Sequence, residues 1–142
     1  PGTAWYENGQ KAGENNFKDG KQDGLQDWWY ENGQKRNELN YKDDKLISAV
    51  AWKPNGEKCP ETNVKDGNGV VVSYNGDGQK DTEENFKDGK QDGLETKWYK
   101  NGHKREEKNY KDGKMDGLWI NYNEEGQKNW EINFKDGELV ED

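Results

Sequence analysis

The sequence predicts an all-β fold, an elongated single-layer antiparallel meander of repeated β-hairpins with about 12 strands. Three observations predict the meander itself. The phrase FKDGKQDGL stands at Phe17 to Leu25 and returns unchanged at Phe86 to Leu94. Looser copies fill the rest of the chain, aligned on Gly9, Gly33, Gly56, Gly78, Gly102 and Gly126, and a spacing of 22 to 24 residues marks a repeated supersecondary unit. Around each glycine, aromatic-rich segments alternate with Asn-Gly and Gly-Asp clusters, the pattern of short strands and tight turns.

The chain divides into one repeat domain of six units, approximately 1–24, 25–47, 48–69, 70–93, 94–117 and 118–142. Two residues after each turn glycine comes Lys, from Lys11 to Lys128, and five after it comes Glu, from Glu14 to Glu131. Asn follows at plus seven, from Asn16 to Asn133, then a large apolar residue at plus eight and a closing Lys-Asp pair. Four residues before each glycine stands an aromatic: Trp5, Trp29, Trp52, Tyr74, Trp98 and Tyr122. First and last residues share nearly the same phase of the repeat and there is no initiator Met, so a segment of a longer protein is expected, with any targeting sequence outside it and the compartment unreadable.

Within the second unit the strands are Leu25 to Tyr30 and Gln34 to Tyr41, and the side-chain pattern chooses the register. A two-residue turn would mix Trp29 and Leu25 with Glu38 and Asn40. A three-residue loop of Glu31, Asn32 and Gly33, with Gly33 left-handed in a bulge, pairs Trp29 with Lys35 and Leu25 with Leu39. It gathers Leu25, Trp29, Leu39 and Tyr41 on one face, and in the last unit Leu118, Ile120, Tyr122, Trp130, Ile132 and Phe134. That loop is the expectation, with the six-fold aromatic row in the core. The second connection, Lys18 to Gly24, is rich in residues that tolerate positive φ. In the third unit Asp44 stands where glycine is usual and Pro54 and Pro60 intrude, which predicts a local break.

Composition narrows the function. Of 142 residues 27% are hydrophobic and 37% charged, near the limit of foldability, yet seven Trp and seven Tyr in phase argue for a thin packed core shared between neighbours. A net charge of −8 disfavours nucleic acid and anionic membrane and favours a basic protein partner. No apolar run approaches membrane-spanning length. Cys59 is the single cysteine and has no internal disulfide partner.

The pattern GLxxxWYxNGQKxxExNYKDGK, best seen at Gly93 to Lys114, resembles the bacterial variant of the MORN repeat in YwqK-family antitoxins. The resemblance runs over essentially the whole chain, departing most between Asp44 and Gly69. It implies a twisted, trough-like sheet of hairpins that acts as a scaffold or binding surface.

Candidate chemical sites weigh mostly toward structure. Asp19 to Asp23 and its copies at Asp88 to Asp92 and Asp112 to Asp116 have two carboxylates four apart around a lysine, too few oxygens for calcium, and read as turns. The Glu and Asn rows read as partners of backbone and cross-strand lysine. His103 takes the place of a turn Gln, and Ser73 and Cys59 have no activating neighbour in the repeat, so no catalytic residue, metal site or cofactor is expected. Tyr6, Trp28, Tyr30, Tyr99 and Trp119 are aromatics outside the expected core, the composition of a protein hot spot. The favoured reading is a non-enzymatic module for protein–protein interaction, antitoxin- or immunity-like. The alternatives are a self-assembling structural segment of a larger surface or filament protein, pairing through its terminal strands, and a carbohydrate-binding surface.

Overall fold

The computed structural model describes residues 2–140; Pro1, where the expected first strand begins, lies outside them. The described residues contain no helix, and so none long and apolar enough to cross a membrane. The strands are β1 (Gly2–Trp5), β2 (Lys11–Asn15), β3 (Phe17–Lys18), β4 (Lys21–Gln22), β5 (Gly24–Trp29), β6 (Lys35–Lys42), β7 (Lys45–Ala51) and β8 (Asn63–Lys65). They continue as β9 (Asn68–Tyr74), β10 (Lys80–Lys87), β11 (Lys90–Gln91), β12 (Gly93–Trp98), β13 (Lys104–Lys111), β14 (Lys114–Tyr122), β15 (Lys128–Lys135) and β16 (Glu138–Leu139). Neighbours in sequence are neighbours in space, so a single open antiparallel meander runs from β1 to β16. There are more strands than expected because some of the second connections are themselves tiny hairpins: β3 pairs only with β4, and β11 joins through β10.

Two kinds of turn alternate. At one end of the strands the three-residue loop forms as expected: the amide of Tyr30 donates to the carbonyl of Gln34 at 2.8 Å, and Gly33 has φ 87°. At the other end Asp19-Gly20 has φ 53° and 78°, the two positive values a type I′ turn requires, and Asp44 takes the glycine's place in the next turn with φ 67°.

Register is where the sequence expectation fails. Trp29 pairs with Lys35 as foreseen, but a bulge follows between Trp28 and Trp29, leaving Arg36 unmatched, so Trp28 faces Asn37, Gln26 faces Leu39, and Leu25 faces Asn40 rather than Leu39. One extra residue carries the aromatic row to the opposite face. Leu25 and Trp29 therefore share the outer face with Glu38 and Asn40, while Trp28 lies with Leu39 and Tyr41 on the inner one. The last hairpin repeats the error: Trp119 pairs with Ile132 and Asn121 with Trp130, whereas Leu118 and Ile120 face Asn133 and Glu131.

The inner core is Leu46, Ala49, Val64 and Val71, with Leu39, Tyr41 and Phe86 against it. A second buried group, Ala51, Cys59, Val72 and Tyr74, surrounds the fully buried thiol. It sits at the expected break: in the third unit β8 keeps only three residues, and Trp52 meets Lys58 through an isolated bridge. The shortened strand lets the second unit touch the fourth directly, through Arg36 to Asp81 at 2.8 Å and Asn37 to Ser73 at 3.3 Å.

Candidate functional site

Most of the repeated polar residues are occupied in joining one unit to the next. At the tight-turn end the amide of Asp112 donates to Asp92 at 3.2 Å and that of Asp136 to Asp116 at 3.1 Å; Asp43 reaches Asp23, and Asp88 reaches Asn68. Backbone bonds such as Gly113 N–H to the Gln91 carbonyl, 2.8 Å, run beside them. The paired aspartates are thus a ladder between turns. The Asn row bonds the backbone at the start of the next unit: the side-chain amides of Asn16, Asn85 and Asn109 donate to the carbonyls of Leu25, Leu94 and Leu118. The Lys and Glu rows pair with each other in five units, Lys11 with Glu14, Lys35 with Glu38, Lys80 with Glu83, Lys104 with Glu107 and Lys128 with Glu131. These pairs are exposed or half-exposed and each contributes about 0.5 kcal/mol.

At the loop end the joining groups are aromatic. The Tyr6 hydroxyl donates to the Trp29 carbonyl, that of Tyr30 to Trp52 at 2.7 Å, and that of Tyr99 to Tyr122 at 2.7 Å. Alongside, the amides of Asn8, Asn32 and Asn101 donate to the carbonyls of Glu31, Pro54 and Glu124. Of the five aromatics singled out in the sequence, three are therefore latches between units. Tyr30 is 5% exposed, and burial pushes its hydroxyl up to about 12, against the pull of the Arg36 guanidinium stacked 5.8 Å from its ring.

The other two lie on the inner face. Trp28 is 37% exposed and lies flat across β2, where a Cβ on Gly13 would come within 2.5 Å of its ring. Trp119 stands edge-on to Trp130 at 5.1 Å and near Phe134, with the Lys108 ammonium 4.9 Å above its ring. Tyr6 and Tyr30 meet at one cavity. Trp28 and Trp119 belong to different hairpins of the inner face, so the five do not form one patch.

A group missed in the sequence lies on that inner face too. Glu84 follows Leu39 and precedes Ile132 in repeat position, and Glu95 takes the place of Gln26. The Gln91 side-chain amide donates to both carboxylates at 2.7 Å each. Burial, then the charge of Glu95, raises the Glu84 carboxyl to about 7. Lys97 is 3.9 Å from Glu95, and Lys108 is 2.9 Å from Glu106. The sequence signal was slight: at the position of Glu84 two sister units carry Leu39 and Ile132, but the others carry polar residues, and at the position of Glu95 sister units carry Gln26 and Trp119.

Nothing in this arrangement brings a nucleophile, base and electrophile together. What remains free for recognition is a set of apolar side chains with substantial exposure, among them Trp5 (60%), Phe17 (53%), Leu25 (46%) and Trp130 (40%). Comparison with protein families matches residues 2–19, 22–43 and 91–112 to a model described as MORN repeat variant. A comparison with curated proteins finds no match.

Proposed function

We propose that this chain is a non-enzymatic repeat module that binds another protein. The family match supports a MORN-repeat protein, and such repeats are in general interaction modules for proteins or membranes. The observation that carries the reading is the division of labour among its side chains. The polar residues common to most units are consumed inside the array, the turn aspartates, asparagines and loop tyrosines between units and the lysine–glutamate pairs along single strands, so the array is a braced scaffold, while large apolar groups that the scaffold does not use remain exposed. Trp28 and Trp119 on the inner face, and the Tyr6, Tyr30 and Tyr99 end of the sheet, are the proposed contact regions. An antitoxin- or immunity-like role, in which an acidic chain of net charge −8 covers a basic partner, is the finer form of this proposal.

The test is chemical crosslinking of the chain in its native extract, reconstitution with the purified crosslinked protein, and titration of Trp28→Ser. A saturable one-to-one complex weakened by the substitution, with the β-sheet circular dichroism kept, supports the reading. A chain that forms no reconstituted complex, or one that titrates with glycans instead, overturns it.

A further inference from the structure

The Tyr and Asn latches at the loop end are not present in every unit. The third unit has Lys53 where the tyrosine stands, and the fourth has Asn75 and Asp77 where tyrosine and asparagine stand. Asn75 instead turns its oxygen onto its own loop, accepting from the amides of Asp77 and Gln79 at 2.9 and 3.1 Å. At this place a cavity of about 470 Å³ opens, with Tyr6, Tyr30 and Arg36 on one side and Gly76, Asp77 and Lys100 on the other. A second cavity, of about 530 Å³, adjoins it through Tyr6 and Glu31 and is lined also by Trp5 and Glu7. Together they make a mostly polar groove in which Trp5 and Tyr6 are the accessible aromatics.

Its charge is one-sided. Glu7, Glu31 and Asp77 are exposed, and among the described residues their carboxylates enter no ion pair or side-chain hydrogen bond. Arg36, the half-buried cation of the groove, is already paired with Asp81 at 2.8 Å. Among the described lining residues, Lys100 is the one cation outside an ion pair, against three acids. Exposed carboxylates lining the same cavities as Trp5 and Tyr6 attract ammonium and guanidinium groups, which the aromatic faces also favour.

We propose that this groove receives a basic extended segment of the protein partner, its lysine or arginine side chains against Glu7, Glu31 and Asp77 and its apolar side chains on Trp5 and Tyr6. The assignment rests on the protein-binding reading and adds the place and the chemistry of contact. A tyrosine at position 75 would narrow the groove.

The experiment is an amide chemical-shift titration of the isotope-labelled full chain with two short capped peptides, one of lysine, leucine and glycine, the other with glutamate replacing lysine. The basic peptide should move amides of Tyr6, Glu7, Glu31 and Asp77 and weaken as salt is raised, and the acidic peptide should leave them in place. The triple variant Glu7→Lys, Glu31→Lys, Asp77→Lys, whose side chains brace nothing, should bind the basic peptide about tenfold more weakly. Equal response to both peptides, no response to either, or an unchanged triple variant overturns the groove. Shifts confined to the Trp119 and Trp130 face overturn it as well but leave the protein-binding reading standing. Groove shifts that follow protein concentration alone assign it to a second copy and overturn the basic-partner proposal.

Discussion

The Tyr30 hydroxyl donates to the Trp52 carbonyl at 2.7 Å and lies 3.3 Å from the carbonyl of Tyr74, 44 residues away. One buried side chain thus holds the second unit to the third and the fourth together, an arrangement open to it because the third unit is pinched at Pro60. Tyr6 and Tyr99 each hold a single neighbour.

Tyr30→Phe should therefore destabilise more than Tyr6→Phe. Losing the donor removes the Trp52 hydrogen bond and its weak 3.3 Å second arm from a buried site, at a cost of about 2 kcal/mol, against about 0.5 to 1 kcal/mol for the half-exposed Tyr6. Urea unfolding of both variants checks this. Equal losses would mean that the second carbonyl contributes nothing.

Gly13→Ala should act through Trp28. The added methyl would meet ring carbons at 2.5 Å, and the ring is part-exposed, so it can swing out rather than deform the sheet. The expected cost is about 1 to 3 kcal/mol, accompanied by a red shift in Trp fluorescence. A stability loss without a spectral change would place the strain in the backbone of β2 instead.

Much of this architecture was legible in the sequence, and the part that was not has a single cause. The period, the open meander, the three-residue loop around Gly33, the turn role of Asp19 to Asp23 and the break near Pro60 all follow from local chemistry that glycine, asparagine, aspartate and proline announce. The face of Trp29 does not. It depends on whether Arg36 is paired or extruded, a choice of one residue that local propensity barely distinguishes and that reverses every side chain beyond it. The alternative rejected from the sequence for mixing Trp29 with Glu38 is the face the protein uses. Lys35 makes that mixture favourable, since its ammonium lies 5.6 Å from the Trp29 ring while pairing with Glu38. The same inversion hid the tyrosine latches, whose acceptors lie one unit away and leave no mark within the unit.

Stability should fall as the pH rises from about 4.5 to about 7, and Glu84 should contribute to that fall. Its carboxyl faces Glu95 and Lys97 on β12, Lys108 and Tyr110 on β13, Gln91 on β11 and Tyr41 on β6. Burial and Glu95 raise it from 4.5 to about 7, so the folded chain binds its proton more tightly than the unfolded chain. A raised carboxyl contributes its stability below the unfolded value and loses it as pH climbs through the folded one. The full difference is about 3 kcal/mol as an upper figure. Glu84→Gln should therefore match the parent near the acid end of this window and exceed it above neutrality, flattening the profile. Parallel profiles for the two proteins between these limits would show that Glu84 titrates normally.

The missing latch between the fourth and fifth units can be restored by design. Asn75→Tyr with Asp77→Asn rebuilds the loop sequence that the first, second and fifth units share, a tyrosine and an asparagine before the turn glycine. In those units the tyrosine hydroxyl finds the carbonyl of the aromatic one unit on, which here is Trp98. The double substitution should stabilise the chain by about 1 kcal/mol for the new hydrogen bonds and slow amide exchange around Trp98 and Tyr99. It should also narrow the groove beside Tyr30, so that peptide binding weakens while the fold gains. Stabilisation with undiminished binding would separate the latch from the groove. No stabilisation at all would show that the fourth and fifth units stand too far apart at the loop end for a tyrosine to span, with the opening fixed by the pinch at the third unit rather than by the absence of the latch.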